Sequence, residues 1–327
     1  MYRALSIILF FISFSLNANE GISVTKEQFI AAMKQQHQFD ASELNQLLSQ
    51  AKKSQTILDA ISRPAEKKLV WHQYKNIFLK EKRIKEGVEF LHKHQDTLNR
   101  AEKEFGVPPE IIVAIIGVET FYGRITGKYR VLDALNTLAF YYPKRSNFFR
   151  SELEHFLLLS RDQGFDPTTL TGSYAGAMGM PQFISSSYRN FAYDFDGDGI
   201  TDIWNNPVDV IGSVANYFKR HHWQPGKDVI DKLDLQGEVS SELLTKGLKP
   251  DINLSDLKKH NIKLDKKYAD DEKLKLLKFE QKHGPEYWLA RKNFYVITRY
   301  NHSHLYAMAV YQLANAIKQK PSSLALK

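Results

Sequence analysis

Cysteine is absent from the 327 residues of this chain. Its absence excludes disulfide frameworks, thiol nucleophiles and zinc sites built on cysteine thiolates. The chain also lacks the clusters of basic and aromatic residues that are typical of nucleic-acid-binding modules, so no nucleic-acid partner is expected. Its net charge is nevertheless +8, and the charge is dispersed. Such a charge favours binding to other polyanions, which for an exported protein are cell-wall peptide carboxylates and anionic lipid head groups.

The N-terminus has the pattern of an export signal. Arg3 supplies a positive charge, and residues 4–16 form a mostly apolar run that is too short to cross a bilayer comfortably. Small or polar residues follow, and cleavage after Ala18 fits this pattern. We therefore predict a signal peptide at 1–19 and a soluble periplasmic protein, with an uncleaved membrane anchor as the alternative.

An apolar helix that ends in an acid is predicted from Pro109 to Glu119. A proline suits the first helical turn, where a missing N–H costs nothing. At spacings of three, four and seven residues, Glu119 would share a helix face with Ile112, Ile115 and Ile116. A carboxylate that these neighbours desolvate has a raised pKa, which is the condition for a proton donor near neutral pH. Glu119 is therefore the candidate general acid.

Glu119 also has a structural alternative, which is an ion pair with Arg124 or Lys128 at the end of the helix. Two sequence blocks favour the catalytic interpretation. They are Val-Glu-Thr-Phe-Tyr-Gly at 118–123 and Gly-Ser-Tyr-Ala-Gly-Ala-Met-Gly-Met-Pro-Gln-Phe at 172–183. Together they resemble the membrane-bound lytic transglycosylase B family, peptidoglycan-cleaving enzymes with a lysozyme-like core.

The resemblance implies a glycan-binding groove. Ser173 and Gln182 would lie beside the catalytic acid and bind sugar hydroxyl or N-acetyl groups, and Arg145 would contact glycan or peptide. The other groove residues that the resemblance implies are Tyr74, Tyr217, Tyr300 and Asn301. Residues 184–186 depart from the family's usual Met-Pro-Ser. Many relatives are tethered by a lipid-modified cysteine, which this chain lacks, so no stable membrane anchor is expected after signal cleavage.

The resemblance also implies a mechanism with one carboxylate. Glu119 would protonate the glycosidic oxygen between N-acetylmuramic acid and N-acetylglucosamine while the muramyl N-acetyl group stabilises the developing cation. It would then take the proton of the muramyl C6 hydroxyl, which closes a 1,6-anhydro ring. No catalytic cofactor is required. Peptidoglycan strands are the expected partner, and cell-wall synthesis proteins are further candidates.

Two other functions stay open. The first is a hydrolytic muramidase, which requires a second carboxylate. The candidates for this second carboxylate are Asp133, Glu152, Glu154 and Asp162. The second function is a non-catalytic cell-wall-binding scaffold, for which Glu119 would be dispensable.

A pattern typical of an EF-hand calcium loop occupies 194–205, with acids at loop positions one, three, five and nine and a glycine at six. The expected ligands are Asp194, Asp196, Asp198, Asp202, Asn205 and the backbone carbonyl of Ile200. Asn205 replaces the usual bidentate glutamate at position twelve, so we expect weak binding. The sequence therefore predicts a structural Ca²⁺ or Na⁺ site.

The remaining pattern is mostly helical. Capping-box spacing occurs at Thr25 with Gln28 and at Asp40 with Glu43, and one long helix is expected to cover 88–105. The expected fold is mainly α with a small β-containing insert (α+β) and a lysozyme-like catalytic core. The predicted parts are a signal peptide at 1–19, a helical domain at 20–95, the core at 96–225, an insert with strands at 226–295 and a return to the core at 296–327.

Overall fold

The computed structural model describes residues 24–63, 69–235, 238–264 and 266–320. The predicted signal peptide at 1–19 lies outside these residues. Contacts divide the described chain into two units, and each is described by itself. The first unit contains 69–118 and the described residues from 215 onwards, and the second contains 24–63 and 119–214. The five-part domain organisation predicted from the sequence stays a prediction.

Helices make up most of both units. Those before residue 130 are α1 (Lys26–His37), α2 (Ala41–Ser49), α3 (Gln55–Ser62), α4 (Trp71–Phe78), α5 (Glu81–Lys93), α6 (Gln95–Phe105) and α7 (Pro109–Thr120). Those after it are α8 (Val131–Tyr141), α9 (Ser146–Gln163), α10 (Ser185–Phe191), α11 (Pro207–Arg220), α12 (Leu254–Lys259), α13 (Lys292–Tyr300) and α14 (His304–Gln319). The strands are β1 (Tyr129–Arg130), β2 (Thr171–Gly172), β3 (Ile230–Leu233), β4 (Lys275–Gln281) and β5 (Gly284–Ala290).

The second unit is built around α8 and α9, which pack against each other. Their buried apolar side chains include Leu132, Leu135, Leu138, Phe149, Leu153 and Phe156. β1 and β2 pair antiparallel and bring Tyr129 opposite Gly172. The capping box at Thr25 and Gln28 is present, and Asp40 caps α2 through the backbone N–H groups of Ser42 and Glu43. These helix starts therefore form where the sequence predicts them.

In the first unit, a three-stranded antiparallel sheet has the order β3-β5-β4. All three strands fall within the predicted insert, which has its own apolar core. The long helix expected over 88–105 was wrong, because α5 ends at Lys93 and α6 begins at Gln95. His94 separates them with φ −115° and ψ 24°, angles outside the helical region.

Candidate active site

Glu119 lies in the last turn of α7. The preceding residues from Ile111 to Val118 are buried, as the predicted apolar helix requires, whereas Glu119 is half-buried. The helix begins at Pro109, where the proline was expected to suit the first turn. The structure therefore supports the predicted placement of the acid at the end of a buried helix. Its role as general acid stays a prediction.

The chain turns sharply after Glu119 through three consecutive residues in the left-handed region. Phe121, Tyr122 and Gly123 have φ values of 53°, 60° and 85°. This conformation costs about 1–2 kcal/mol for each residue that carries a Cβ. Two aromatic residues adopt it here, so the surrounding contacts must hold the turn in place.

Thr120 supplies two of these contacts. Its hydroxyl donates a hydrogen bond to the carbonyl of Met180 (2.8 Å) and accepts one from the N–H of Gly123 (3.0 Å). The N–H of Ile125 donates to the carbonyl of Thr120 at 2.9 Å. Thr120 is 1% exposed. It therefore joins the end of the helix that carries Glu119 to the Gly-rich block at 172–183.

Within that block, Ser173 organises the backbone. Its hydroxyl oxygen accepts hydrogen bonds from the N–H groups of Ala175 (3.3 Å) and Ala177 (3.0 Å). A hydroxyl that accepts in this way keeps its proton as a donor. The glycines of the block are explained by packing within the chain, since a Cβ on Gly172 would approach the carbonyl oxygen of Ala177 to 2.2 Å and one on Gly179 would approach that of Ile203 to 2.4 Å.

Gln182 is buried and lies in the left-handed region, with φ 54°. Its side-chain Nε2 donates to the carbonyls of Thr126 (3.0 Å) and Gly179 (2.9 Å). Its Oε1 is buried and has no hydrogen-bond partner within the described residues. An unpaired buried carbonyl oxygen is costly, and this one remains available to a donor from outside the described residues.

Arg145 ends a short 3₁₀ segment before α9. Its guanidinium lies over the rings of Phe148 (4.3 Å) and Phe149 (5.3 Å). Burial lowers the pKa of Arg145, and the charges of Tyr142 and Glu152 oppose this shift. The aromatic contacts fix the orientation of the guanidinium, and its predicted contact with glycan or peptide stays a prediction.

All four candidates for a second carboxylate have partners within the second unit. Asp133 accepts from Arg130, Glu152 from Ser186, and Glu154 pairs with His37, while Asp162 lies near Arg161 and Arg189. Burial raises the pKa of Glu152, and hydrogen bonds from Ser186 and Ser185 oppose the shift. Both oxygens of Glu152 are used by Ser186, at 2.9 and 2.7 Å. Each of these four acids therefore has a polar partner in its own unit, and a role for any of them as a second carboxylate stays a prediction.

In the first unit, the structure brings together Tyr217, Tyr300 and Asn301. The rings of Tyr217 and Tyr300 are 4.7 Å apart, and the Tyr217 hydroxyl donates to the carbonyl of Arg299 at 2.6 Å. Oδ1 of Asn301 is buried without a hydrogen-bond partner among the described residues. The fourth predicted groove residue of this unit, Tyr74, is 4% exposed, and its ring is 5.2 Å from that of Phe78. The binding roles of all four stay predictions.

The predicted metal loop gathers only part of its expected ligand set. Side-chain oxygens of Asp194 and Asp196 lie within 4.8 Å of each other and of an oxygen of Asp209, a residue outside the loop pattern. Asp194 and Asp202 both accept hydrogen bonds from backbone N–H groups of the loop, Asp194 from Gly197 at 2.7 Å and Asp202 from Asn205 at 2.9 Å. The oxygens of Asp198 and Asp202 thus hydrogen-bond to backbone N–H groups of the loop.

Asp209 is a functional candidate that sequence reasoning missed. It lies in the first turn of α11, is fully buried, and accepts hydrogen bonds from the N–H groups of Phe195 and Asp202, both at 2.8 Å. Burial raises the pKa of Asp209, those two bonds lower it, and the charges of Asp196 and Asp194 raise it further. The sequence signal that could have found Asp209 is its position shortly after the calcium-loop pattern. That pattern ends at Asn205, four residues before Asp209, and so does not include it.

The model of the transglycosylase SLT domain family matches residues 22–315 of the chain. This chain belongs to that family. It is 43% identical over 300 residues to the membrane-bound lytic murein transglycosylase B of Escherichia coli (strain K12), covering 89% of this chain and 82% of that protein.

Solved structures of family members agree with the fold. The soluble lytic transglycosylase SltB1 from Pseudomonas aeruginosa superimposes with a TM-score of 0.86 and 51% identity, covering 90% of this chain and 98% of that chain. The Escherichia coli lytic transglycosylase Slt35 in complex with calcium superimposes with a TM-score of 0.82 and 44% identity, covering 89% and 92%. The predicted mainly helical, lysozyme-like fold with a small β-containing insert is therefore confirmed. Among the described residues, no helix has the length and apolarity needed to span a membrane.

Proposed function

We propose that Glu119 is the single acid–base catalyst of this protein. The protein is a lytic murein transglycosylase, as its family and its 43% identical relative indicate. Glu119 protonates the glycosidic oxygen between N-acetylmuramic acid and N-acetylglucosamine as this bond breaks. The resulting carboxylate then removes the proton of the muramyl C6 hydroxyl, whose oxygen bonds to C1. The product carries a 1,6-anhydro ring, and no water is consumed.

One observation carries this proposal. Glu119 is half-buried at the end of an apolar helix, and the four other acids considered as a second carboxylate each have a polar partner in their own unit. A hydrolytic mechanism requires a second carboxylate that can activate water. Intramolecular attack by the C6 hydroxyl removes this requirement, because the substrate supplies the nucleophile.

Glycan-binding roles are proposed for residues of each unit separately. In the second unit, Ser173 donates its remaining hydroxyl proton to a sugar or N-acetyl oxygen, Gln182 offers its unpaired Oε1, and Arg145 contacts glycan or peptide. In the first unit, stacking surface would come from the rings of Tyr217, Tyr300 and Tyr74. Hydrogen bonds would come from the amide of Asn301.

The loop at 194–205 is proposed to hold a structural Ca²⁺. Carboxylate oxygens of Asp194, Asp196, Asp198 and Asp202, the side-chain oxygen of Asn205 and the carbonyl of Ile200 are the expected ligands, and Asp209 is a further candidate. Hard oxygen ligands of this kind suit Ca²⁺, and side-chain oxygens of Asp194, Asp196 and Asp209 lie within 4.8 Å of one another. The relative Slt35 was solved in complex with calcium. The ion would tie the loop to α11, and no catalytic step passes through it.

Murein lies outside the cytoplasmic membrane, so this activity requires export. We therefore propose a periplasmic location, in agreement with the signal pattern at 1–19. Fractionation of cells that express the full chain would test it, and retention in the cytoplasmic fraction would contradict it.

Mass spectrometry of the muropeptides that the protein releases from purified sacculi tests the catalytic proposal. Products lighter by one water than hydrolytic fragments are expected from the wild type and are expected to disappear with Glu119→Gln. The matched control is Glu154→Gln, which removes a half-buried acid that pairs with His37 and is expected to retain release. Hydrated reducing ends would support a muramidase, and release by Glu119→Gln would refute the role of Glu119.

A further inference from the structure

A group of basic side chains lies beside Tyr217 and Tyr300 and has no assigned role. Arg299 is in the last turn of α13, His302 follows that helix, and His221 follows α11. The His221 ring stacks on that of Tyr217, with centroids 4.1 Å apart. All of these residues belong to the first unit. We call Arg299, His221 and His302 the basic cluster.

Arg299 has an unusual environment for a half-buried arginine. Its Nη1 is 3.1 Å from Nε2 of His302, so a neutral His302 accepts this hydrogen bond. In the part of the chain that the structure describes, no carboxylate lies within ion-pair distance of Arg299. Arg291, at the other end of α13, is bound by both Asp231 and Glu272. A guanidinium with open donors and no anion is well suited to bind a carboxylate by two parallel hydrogen bonds.

The charge of Arg299 also acts on the two histidines. Burial lowers the pKa of His221, and the charges of Arg299, His222 and His302 lower it further, while its hydrogen bond to the Tyr217 carbonyl opposes the shift. Burial and Arg299 lower the pKa of His302. Both histidines are therefore held towards the neutral form by burial and by Arg299, and a carboxylate bound to Arg299 would offset the effect of its charge on them.

We propose that the basic cluster binds a carboxylate of the peptidoglycan substrate, next to the glycan contacts of Tyr217 and Tyr300. This inference rests on the proposed function of those two tyrosines. The sugar hydroxyl and N-acetyl groups of murein are neutral, so its negative charge comes from carboxylates. They have two sources, the stem peptides and the lactyl group of muramic acid where a peptide has been removed. The stem peptide is the source that intact murein presents.

Equilibrium binding separates this subsite from catalysis. The Glu119→Gln protein is titrated with end-labelled glycan strands by fluorescence anisotropy, so the result does not depend on turnover. Three kinds of strand are compared: strands with intact stem peptides, strands whose carboxyl groups have been converted to methylamides, and strands stripped of peptides. We expect intact strands to bind about tenfold more tightly than methylamide strands, the contribution of one charge-assisted contact.

Arg299→Gln added to this protein is expected to raise the Kd for intact strands about tenfold and to leave the two kinds of strand nearly equal. Arg299→Lys, which keeps the charge but loses the planar fork, should give a smaller increase. The control is Arg220→Gln, which removes an exposed arginine at the end of α11 and should keep the preference for intact strands. Thermal unfolding of each variant shows that it is folded.

The proposal also predicts proton uptake. Because a bound carboxylate raises the pKa of His221 and His302, intact strands should bind more tightly at pH 6 than at pH 8, and methylamide strands should not. If Arg299→Gln also weakened the binding of strands stripped of peptides, the lactyl carboxylate would be identified as the ligand. The proposal would be overturned if Arg299→Gln weakened the binding of intact and methylamide strands equally, or if it weakened the binding of neither.

Discussion

Replacement of Thr120 by valine should separate the position of Glu119 from the stability of the fold. Valine has nearly the same shape as threonine but no hydroxyl. It would remove the hydrogen bond to the Met180 carbonyl and the one from the Gly123 N–H. At about 1 kcal/mol for each bond, the loss in the free energy of unfolding is about 2 kcal/mol.

This loss is comparable with the strain of the turn that the two bonds hold. Phe121 and Tyr122, both left-handed, together store about 2–4 kcal/mol. Without the two hydrogen bonds of Thr120 the turn can relax. Because the turn begins directly after Glu119, this relaxation can displace the Glu119 side chain. A displacement of a catalytic group by about 1 Å costs about 100-fold in rate. We therefore expect Thr120→Val to lower kcat about 100-fold and to change KM much less.

The assay is the rate of release of anhydro-muropeptides from sacculi, with the free energy of unfolding measured in urea. Thr120→Ser keeps the hydroxyl and should restore most of kcat. Thr137→Val is the matched control, because buried Thr137 also donates one hydrogen bond, to Lys52, and accepts one, from Ser54. It should lose similar stability and keep kcat. The reasoning would be refuted if Thr120→Val kept the wild-type kcat, or if Thr120→Ser had a kcat as low as that of Thr120→Val.

Three further predictions concern other parts of the chain. Ca²⁺ at 100 times its Kd should stabilise the wild type by about 2.7 kcal/mol, and Asp209→Asn should abolish most of the increase in Tm; an equal increase in the variant would exclude Asp209 as a ligand. Burial lowers the pKa of His304 from 6.5 to about 4, so between these pH values the unfolded chain binds a proton that the folded chain does not bind. Stability present above pH 6.5 should therefore fall by at most about 1.4 kcal/mol per pH unit down to pH 4, and urea unfolding of His304→Gln should show a flatter dependence. Gly127→Ala should lower the free energy of unfolding by more than about 2 kcal/mol, because φ is +96° and a Cβ would lie 2.1 Å from the Gly172 carbonyl oxygen; urea unfolding with no loss would show that β1 and β2 can separate freely.

Local signals explain why much of the fold could be predicted. Thr25 with Gln28 marks the start of α1, Pro109 marks the start of α7, and Gly164 ends α9 in the left-handed conformation. Each of these signals acts through hydrogen bonds or φ angles within a few residues, so the sequence contains the whole interaction. The split at His94 was missed because an apolar stripe can continue across two helices.

The site was less predictable where it depends on distant partners. Thr120 has a role because its hydroxyl meets a carbonyl sixty residues later. Asp209 joins Asp194 and Asp196 because the chain folds the start of α11 against the loop. Neither contact has a fixed spacing in a sequence pattern, so neither can be found by counting along the chain.

The sequence by itself determined the helical class, the family resemblance, the candidate acid Glu119 and the calcium-loop pattern, since these depend on residue type and short-range spacing. Only the tertiary structure decided which acids are already engaged, which residue clamps the turn after Glu119 and which arginine has no anion. Those properties depend on burial and on the partners that each charge meets after folding. Asp133 and Glu152 have the same chemistry in the sequence as any candidate base, and only the fold shows that Arg130 and Ser186 are their partners.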